Sequence, residues 1–556
     1  MRGDIAEAEL WTRALELVRG LNIASDADTG PLFDHPPPGS DPEILKRLRQ
    51  MYEAGGWVLV ESAIADLPAD LRWLFESGTV TIEHLATIHG ALGVTSAADI
   101  GAAVREQKLR ALPGLDADME AAVGAALPAL RARIPRIPLG RAVGVAERIL
   151  EPLRAAPGVA WALPVGSLRR GQDEVGDIEI VAPADQPAAA IDALLSLPTS
   201  SRVLHRSERR LYVLTDRVQI GVRLAEPANA GADLLYLTGS RAHFEALQAH
   251  AAATGWTLKA GGLYASDGTL TPAATEAEIY AALGLPWIPP EIRNGDEEIA
   301  IAGRGALPVL VARGDIRGDL HMHSTWSDGR DAIAAMVDGC RALGYEYMAM
   351  TDHSPHSAAA RNLTLDSVTK QAEEIDRLRE QYPDITILHG CEVDILPDGR
   401  LDFADRVLEQ FDIVLASLHE RAGHGPEQLM TRYASAMKHP LVTLITHPTN
   451  RLLPSRRGYD LDYDRLFAMA VESGTVVEID GAPSHLDLDG ALARRAIAAG
   501  ATVSINSDCH RAEMLGRQMD LGIVTARRGW VEPRHVLNTR SVAAVRSVIA
   551  AKRGSH

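Results

Sequence analysis

Short apolar, β-branched runs alternate with helical stretches through the C-terminal half of the chain. Runs at 344–350, 385–388, 413–416, 441–445, 475–480 and 501–505 read as buried strands. Between them a 3.6-residue periodicity predicts helices over 331–343, 365–382, 426–437, 463–474 and 488–500. Gly344, Gly474 and Gly500 stand where a helix must stop and turn into a strand. This alternation argues for parallel βαβ units, in which residues just past the strand C-termini converge at one mouth of a barrel or sheet. The run 307–311 reads as a short strand entering that barrel. Upstream, residues 5–22 carry a helical pattern, 33–42 form a Pro-rich turn or linker, and 41–130 read as short helices joined by tight turns. An amphipathic helix is predicted over 139–155, ending before Pro157-Gly158.

The polar residues that punctuate the C-terminal strands change the picture. They are Asp319-Leu-His321-Met-His323, Asp328, Thr351-Asp-His353, Gly390-Cys-Glu392, Ser417-Leu-His419, Thr446-His447-Pro448 and Asn506-Ser-Asp508-Cys-His510. A lone His at a strand end is usually a satisfied polar residue, but six recur here at one topological position. The His321-x-His323 pair on an extended segment puts both rings on one face. Six imidazoles and three carboxylates are too many for one tetrahedral or octahedral ion, so two or three clustered divalent ions fit better, with a carboxylate bridging. A His-rich set without thiolates suits Zn²⁺, Mn²⁺ or Fe²⁺ rather than Mg²⁺ alone. Such a cluster makes hydroxide from water near neutral pH and stabilises charge on a displaced oxygen, which phosphoester hydrolysis needs.

Composition sets outer bounds. The 556 residues allow three or four domains. With 56 basic and 74 acidic residues the formal charge is −18, which excludes a wholly basic nucleic-acid coat but not a local basic groove. Cys340, Cys391 and Cys509 lie far apart, so no disulfide framework is expected and a reducing cytosol fits. Neither a signal segment nor an apolar run of membrane-spanning length is visible, and a soluble cytoplasmic protein is expected.

The ordered motifs from about Gly318 onward resemble a PHP (polymerase and histidinol phosphatase) domain, a distorted seven-stranded β/α barrel. The resemblance implies three bound metals. His321, His323, Glu392 and Asp508 would hold one; Glu392, His419 and His447 a second; Asp328, His353 and His510 the third. Arg451 matches a family arginine placed to meet a phosphate.

The N-terminal half carries a second signature. Val165-Gly166-Ser167-Leu-Arg169-Arg170 leads to Asp177-Ile-Glu179-Ile-Val, with two acids at i and i+2 on one strand face, fit to hold Mg²⁺. Gly166, Ser167 and Arg170 are candidate nucleotide-binding residues, because Gly-Ser opens a helix whose amides can hold a triphosphate. Leu109-Arg-Ala-Leu-Pro-Gly114-Leu-Asp116 resembles a helix-hairpin-helix, although Asp116 replaces the second glycine and would repel phosphate. An earlier hairpin near 65–69 lacks its glycines. Tyr236-Leu-Thr-Gly239-Ser240-Arg-Ala-His243, Gly262-Leu-Tyr264 and Tyr280-Ala-Ala-Leu-Gly284-Leu-Pro-Trp extend the match. Almost the whole chain thus resembles bacterial-type family X DNA polymerases with a C-terminal PHP domain.

That resemblance implies a multidomain α/β chain. A helical region would span 1–140, a nucleotidyltransferase-like α+β palm 141–228, a thumb 229–292, a linker 293–317 and the barrel 318–556. It also exposes departures. Three aspartates are expected in the polymerase site, but the chain has Asp177, Glu179 and, on the strand at 216–224, Gly221. Loss of the third carboxylate removes a metal ligand and base worth roughly 10²–10⁴ in rate, so nucleotide addition is expected to be lost. Arg169, Arg170, Arg202, Arg206, Arg209 and Arg210 form the most basic stretch and a candidate nucleic-acid platform. The implied activity is a metal-dependent phosphodiesterase, a 3′→5′ exonuclease on DNA (RNA being the alternative) with a role in repair. Two other readings are open: a small-molecule phosphatase of histidinol-phosphatase type, and a DNA-binding scaffold with a regulatory metal site.

Overall fold

The computed structural model describes residues 79–554 apart from 95–96, 134–135, 197–201, 216–217 and 358–360, together with Pro42, Leu45, Leu74 and Phe75. The predicted helix at 5–22, the linker at 33–42 and the hairpin near 65–69 lie outside the described residues, except for Pro42. The chain divides into two compact units: residues 1–133 with 202–207 and 212–214, and the remainder. In the first, Leu85, Ile88, Ile100, Leu109, Leu115 and Val123 share one small core. Its Gly114 turn (φ +77°) leads into the helix Ala117–Arg133, and Asp116 accepts the Met119 amide at 2.8 Å. Asp116 is therefore a helix cap.

The second unit begins with helix α1 (Leu139–Arg154), which packs on strands β1 (Leu163–Pro164) and β2 (Ile178–Pro183). Strand β3 (Val218–Ala225) runs parallel to β2, with Glu179 opposite Gly221. Helices α2 (Ala230–Thr238), α3 (Arg241–Ala253) and α4 (Glu276–Ala282) follow. Their core ends on a fully buried Arg293, whose guanidinium forks onto Glu276 at 2.6 and 3.0 Å. Arg169 grips the same carboxylate at 2.8 Å through two nitrogens. Burial pushes the Glu276 carboxyl up, but Arg293 and Arg169 outweigh it and hold the pKa at about 2. Part of the expected linker is helical, Glu298–Gly303, and buried Glu298 accepts from the Gly295 amide and from His243 Nδ1. The expected strand at 307–311 does not form. Pro308 has no N–H to give, and the stretch makes one ladder-like bond, Val311 N to Val531 O at 2.9 Å.

Seven parallel strands then follow in chain order: β4 (Gly318–Asp319), β5 (Tyr347–Met350), β6 (Thr386–Asp394), β7 (Ile413–Ser417), β8 (Val442–Ile445), β9 (Val476–Asp480) and β10 (Val503–Asn506). Helices α5 (Ile333–Ala342), α6 (Leu365–Gln381), α7 (Pro426–Lys438), α8 (Tyr463–Ser473), α9 (Gly490–Ala498), α10 (Leu515–Arg528) and α11 (Val542–Arg553) accompany them. The sheet closes at its upper edge, where Met322 pairs in parallel with Cys509 and the His323 amide donates to Cys509 O at 2.9 Å. Lower down, a buried side chain stands in for the missing ladder. Asn538 donates to Gly318 O and Ile505 O and accepts from the Ile505 amide.

Period-2 alternation decides what faces inward. Tyr347, Ala349, Leu388, Ile413, Leu415, Leu444 and Val476 form an apolar inner cluster plugged from below by Leu537, Val545 and Ile549. Two residues further along the same strand faces stand Glu392 (after Leu388 and Gly390), Ser417 and Glu478. The barrel is thus dry at its base and polar at its mouth.

Candidate metal centre and the palm site

All nine predicted ligands come together at that mouth. Strand β6 is longer than expected because it pairs with β5 through its first half and with β7 through its second. Glu392 therefore lies inside a strand, aimed into the lumen, and not just past a strand end. Around it, His447 Nε2 lies 2.9 Å from Oε1 and His419 Nε2 3.3 Å from Oε1. His321 Nε2 and His323 Nε2 lie 3.4 and 3.6 Å from Oε2. His353 Nδ1 lies 2.8 Å from Oε2.

Three groups of converging ligand atoms result: His321, His323 and Asp508; His353, Glu392 and His419; and His323, Asp328, His353 and His510. His323 and His353 stack at 4.3 Å, as do His323 and His510 at 4.4 Å. Glu392 touches the first group, as the resemblance implies. His447 reaches Glu392 alongside His419, while His353 and His323 each belong to two groups.

The residues fit divalent cations on several observations. Ring nitrogens of His321 and His323 face each other at 3.2 Å, and tetrahedral ligands of one ion at about 2.1 Å stand roughly 3.4 Å apart. His323 Nδ1 and His447 Nδ1 are buried without a hydrogen-bond partner, and His353 Nδ1 and Glu392 Oε2 approach to 2.8 Å without forming a hydrogen bond, a costly state for polar atoms. The far nitrogens of three rings are fixed from behind. His321 Nδ1 donates to Glu478 Oε1 at 2.8 Å, His419 Nδ1 to Asp394 Oδ1 at 3.0 Å and His510 Nδ1 to the Asp508 carbonyl at 3.1 Å. Each bond sets the tautomer, so that Nε2 presents a lone pair to the centre. Strained backbone accompanies the ligands: His447 has φ +23° and Asp508 φ +49°.

Electrostatics match this reading. Burial pushes the Glu392 carboxyl up, but His353, His419 and His321 hold it well below the usual carboxylate range. Burial and the neighbouring His353 and His510 rings push His323 down to about 4, leaving it neutral and able to ligate. Burial disfavours charge on His419, yet Glu392 and Asp394 raise it to about 10, so a cation that takes its Nε2 must displace a proton.

The sequence alone did not single out the supporting acids. Glu478 also accepts the Asn506 side chain and the His447 amide, each at 2.8 Å. Asp352 accepts Ser324, Ser327 and Gln371 beneath the His323 and His353 loops. A carboxylate in an otherwise apolar strand, as in Val476-Val-Glu478-Ile-Asp480, is the signal that could have found the first.

Arg451 has a different geometry from the one expected. It is buried, its Nε donates to His485 O at 2.8 Å, one terminal nitrogen donates to Leu486 O, and the other reaches Asp173 Oδ2 at 2.8 Å. Asp173 belongs to the palm loop, and Arg528 of α10 pairs with its other oxygen. Burial pushes the Asp173 carboxyl up, but Arg528 and Arg451 hold it low. Close packing surrounds this link: a Cβ at Gly140 would fall 2.5 Å from Pro483 Cβ, and one at Gly171 2.7 Å from Val524.

In the palm, Asp177 is exposed just before β2, and Glu179 lies on it. A Cβ at Gly221 would fall 2.5 Å from Glu179 Cδ and closer still to its Oε1. The longer acid has moved its carboxylate into the space a side chain at 221 would need. Gly166 (φ +62°) and Ser167 start a single helical turn, Gly166–Arg169. Arg170 donates to the Thr238 carbonyl. Burial, then Arg293 and Arg528, lower its pKa to about 10. In the basic stretch, Arg169 pairs with Glu276 and Arg209 with Glu226.

Comparisons with known proteins agree with this arrangement. A DNA polymerase beta thumb model matches residues 233–294 and a PHP domain model residues 319–469. The chain is 34% identical over 506 residues to the DNA polymerase/3′-5′ exonuclease PolX of Bacillus subtilis (strain 168), covering 90% of this chain and 88% of that protein. It is 29% identical over 205 residues to a probable phosphatase of Syntrophotalea carbinolica, covering 35% of this chain and 80% of that one. A solved structure of Leishmania infantum polymerase beta in a ternary P/T complex matches 38% of this chain and 92% of its own at 17% identity, with a TM-score of 0.25. Among the described residues no helix is long and apolar enough to cross a membrane. Length, domain order and the identity across nine-tenths of the chain place it in the bacterial PolX family, the family X DNA polymerases that end in a PHP domain.

Proposed function

We propose that the chain is a metal-dependent 3′→5′ exonuclease acting on DNA in repair, and that its palm no longer adds nucleotides. The observation that carries the reading is the cluster of nine side chains with unpartnered buried nitrogens and oxygens at one mouth. The similarity to a protein named as a DNA polymerase/3′-5′ exonuclease supports the substrate. Two or three divalent ions are proposed, with Mn²⁺, Zn²⁺ or Fe²⁺ favoured by the donor set. When bound, they supply an activated water and stabilise charge on a phosphoryl group.

The chain's own residues do the rest. Glu392 has one oxygen beside His419 and His447 and the other beside His321, His323 and His353, so it would be the residue shared between neighbouring ions. Asp328 and His510 form the outer pair, with Asp328 Oδ1 3.2 Å from His510 Nε2. Glu478 and Asp394 fix ring orientation. Burial of His321, His323 and Glu392 keeps bulk water from the inner ligands. Arg451 acts as a brace between the palm and the His447 loop. The proposed division of labour is a helical region at 1–140, an inert palm at 141–228, a thumb at 229–292, a connector at 293–317 and the hydrolytic barrel at 318–556.

A primer labelled at its 5′ end, annealed to a template with Mn²⁺ and nucleotides, tests the reading. Stepwise shortening is expected, and it should vanish in His321→Ala and Asp508→Ala chains that still fold. Lengthening would refute the inert palm; shortening that survives both substitutions would refute the metal centre.

A further inference from the structure

Five exposed arginines stand around the barrel mouth and have no part in the hydrolysis just described. Arg330, Arg361, Arg421, Arg456 and Arg457 lie on the loops that follow β4, β5, β7 and β8. Four are tied to the loop of a candidate ligand, and Arg457 follows Arg456 directly in the chain. The Arg330 amide donates to the His510 carbonyl at 2.8 Å, and Leu363, two residues beyond Arg361, donates to the His353 carbonyl at 2.8 Å. Arg421 is two residues past His419. Arg456 donates to the carbonyl and side-chain oxygens of Asn450 at 2.9 and 2.7 Å. Asn450 in turn donates to the His419 carbonyl at 3.1 Å.

Among the described residues none of the five has a carboxylate within ion-pair distance; Arg421 Nε donates to the His424 carbonyl at 2.8 Å, which leaves its terminal nitrogens open. Outer-helix arginines differ: Arg341 pairs with Asp384, Arg379 with Asp412, Arg465 with Glu427 and Arg495 with Asp464. Acids on the mouth loops are mostly turned to other tasks. Asp352 binds Ser324 and Gln371, Asp394 binds His419, Asp487 binds Thr449, and Glu420 lies 3.1 Å from His356. In a chain of net charge −18 the mouth therefore carries cationic forks with open valence. Guanidinium groups of this kind suit phosphate oxygens. The ligands beneath are recessed, with His321, His323 and Glu392 fully buried, so a strand end must enter while the nucleotides behind it cross the rim.

We infer that this collar binds the sugar-phosphate backbone of a single-stranded oligonucleotide whose end occupies the metal centre. The inference rests on the hydrolase reading and narrows it: a small phosphoester needs one cationic contact, and five spaced around the rim serve a polyanion.

The test is the salt dependence of binding by the full chain, as purified, to a fluorescent phosphorothioate 20-mer that keeps its charge and resists hydrolysis. Each phosphate contact contributes about 0.7 to the slope of log K against log salt for a single strand, so Arg361→Ala, Arg421→Ala and Arg457→Ala together should lower it by about 2. Arg377→Ala, an exposed arginine on α6, is the control and should keep the wild-type slope. Arg→Gln versions serve if the alanines unfold the loops. A triple-variant slope within about 0.5 of wild type overturns the collar, and so does an equal fall in the Arg377 control. With Mn²⁺, turnover of an unmodified 20-mer and of bis(p-nitrophenyl) phosphate separates the two ideas. A wild type that cleaves neither sinks the hydrolase reading, while the binding slope still decides the collar.

Discussion

Replacing Glu478 by Gln removes one charge and adds almost no volume, so its effect reports on orientation more than on packing. The carboxylate receives three donors: His321 Nδ1 and the Asn506 side chain on Oε1, and the His447 amide on Oε2. A glutamine can accept the first two through its oxygen, but its NH₂ then faces the His447 N–H. Flipping the amide relieves that clash and creates two others. At least one buried donor is left unmet, at about 1–3 kcal/mol. His321 also loses the charge that makes its Nε2 a better donor to a cation. Outer-shell losses of this kind lower metal affinity by about 10–100-fold, or about 1.4–2.7 kcal/mol. The assay is metal content by mass spectrometry after dialysis against graded chelator, alongside thermal unfolding with and without Mn²⁺. The variant should release its most weakly held ion at roughly tenfold lower chelator strength and gain less from added Mn²⁺ than the wild type. Retention of all ions at the wild-type chelator midpoint would show that Glu478 does not support the centre.

Other outcomes follow from the palm and thumb. Gly221→Asp drives a carboxylate into the one on Glu179 and should cost about 2–4 kcal/mol by overpacking and like charge; Glu179→Asp with Gly221→Asp should recover most of it, read by thermal unfolding. The Glu276 carboxyl has a folded pKa of about 2 against an ordinary 4.5, so its contribution, about 3 kcal/mol, is fully present above pH 4.5 and lost as pH falls toward 2. Glu276→Gln should flatten that acid limb in urea titrations and destabilise the thumb at neutral pH, because Arg293 is left buried and unpaired. Arg451→Ala should speed hydrogen exchange in both the 166–176 and 447–451 loops while α6 keeps its protection, with a local cost of about 3–5 kcal/mol.

The barrel was legible because its signals are local and repeated. Strand and helix bounds at α6, α7 and α8 follow from periodicity, and the nine candidate ligands follow from polar punctuation at strand ends. Glu392 shows where that logic stops: β6 spans two neighbours and continues past its apolar run, which depends on pairing partners distant in sequence. Arg451 shows a second limit. Its motif predicts a phosphate contact, but Asp173 stands 278 residues earlier and no local pattern announces the pair. The Glu179 and Gly221 departures read as two separate losses in the sequence; in the fold they are neighbours across one ladder and behave as a single exchange of volume.

The Asp173 link bears on how such a chain can evolve. Relatives named as probable phosphatases match only 35% to 40% of this chain, so a barrel of this type need not carry a palm. Here, however, two of the barrel's arginines, Arg451 and Arg528, share a counter-charge that the palm provides. Shedding the palm would strand both guanidinium groups beside the loop that carries His447. A palm thus becomes hard to delete whatever it does to nucleotides, held in the genome by the neighbour whose charges it neutralises.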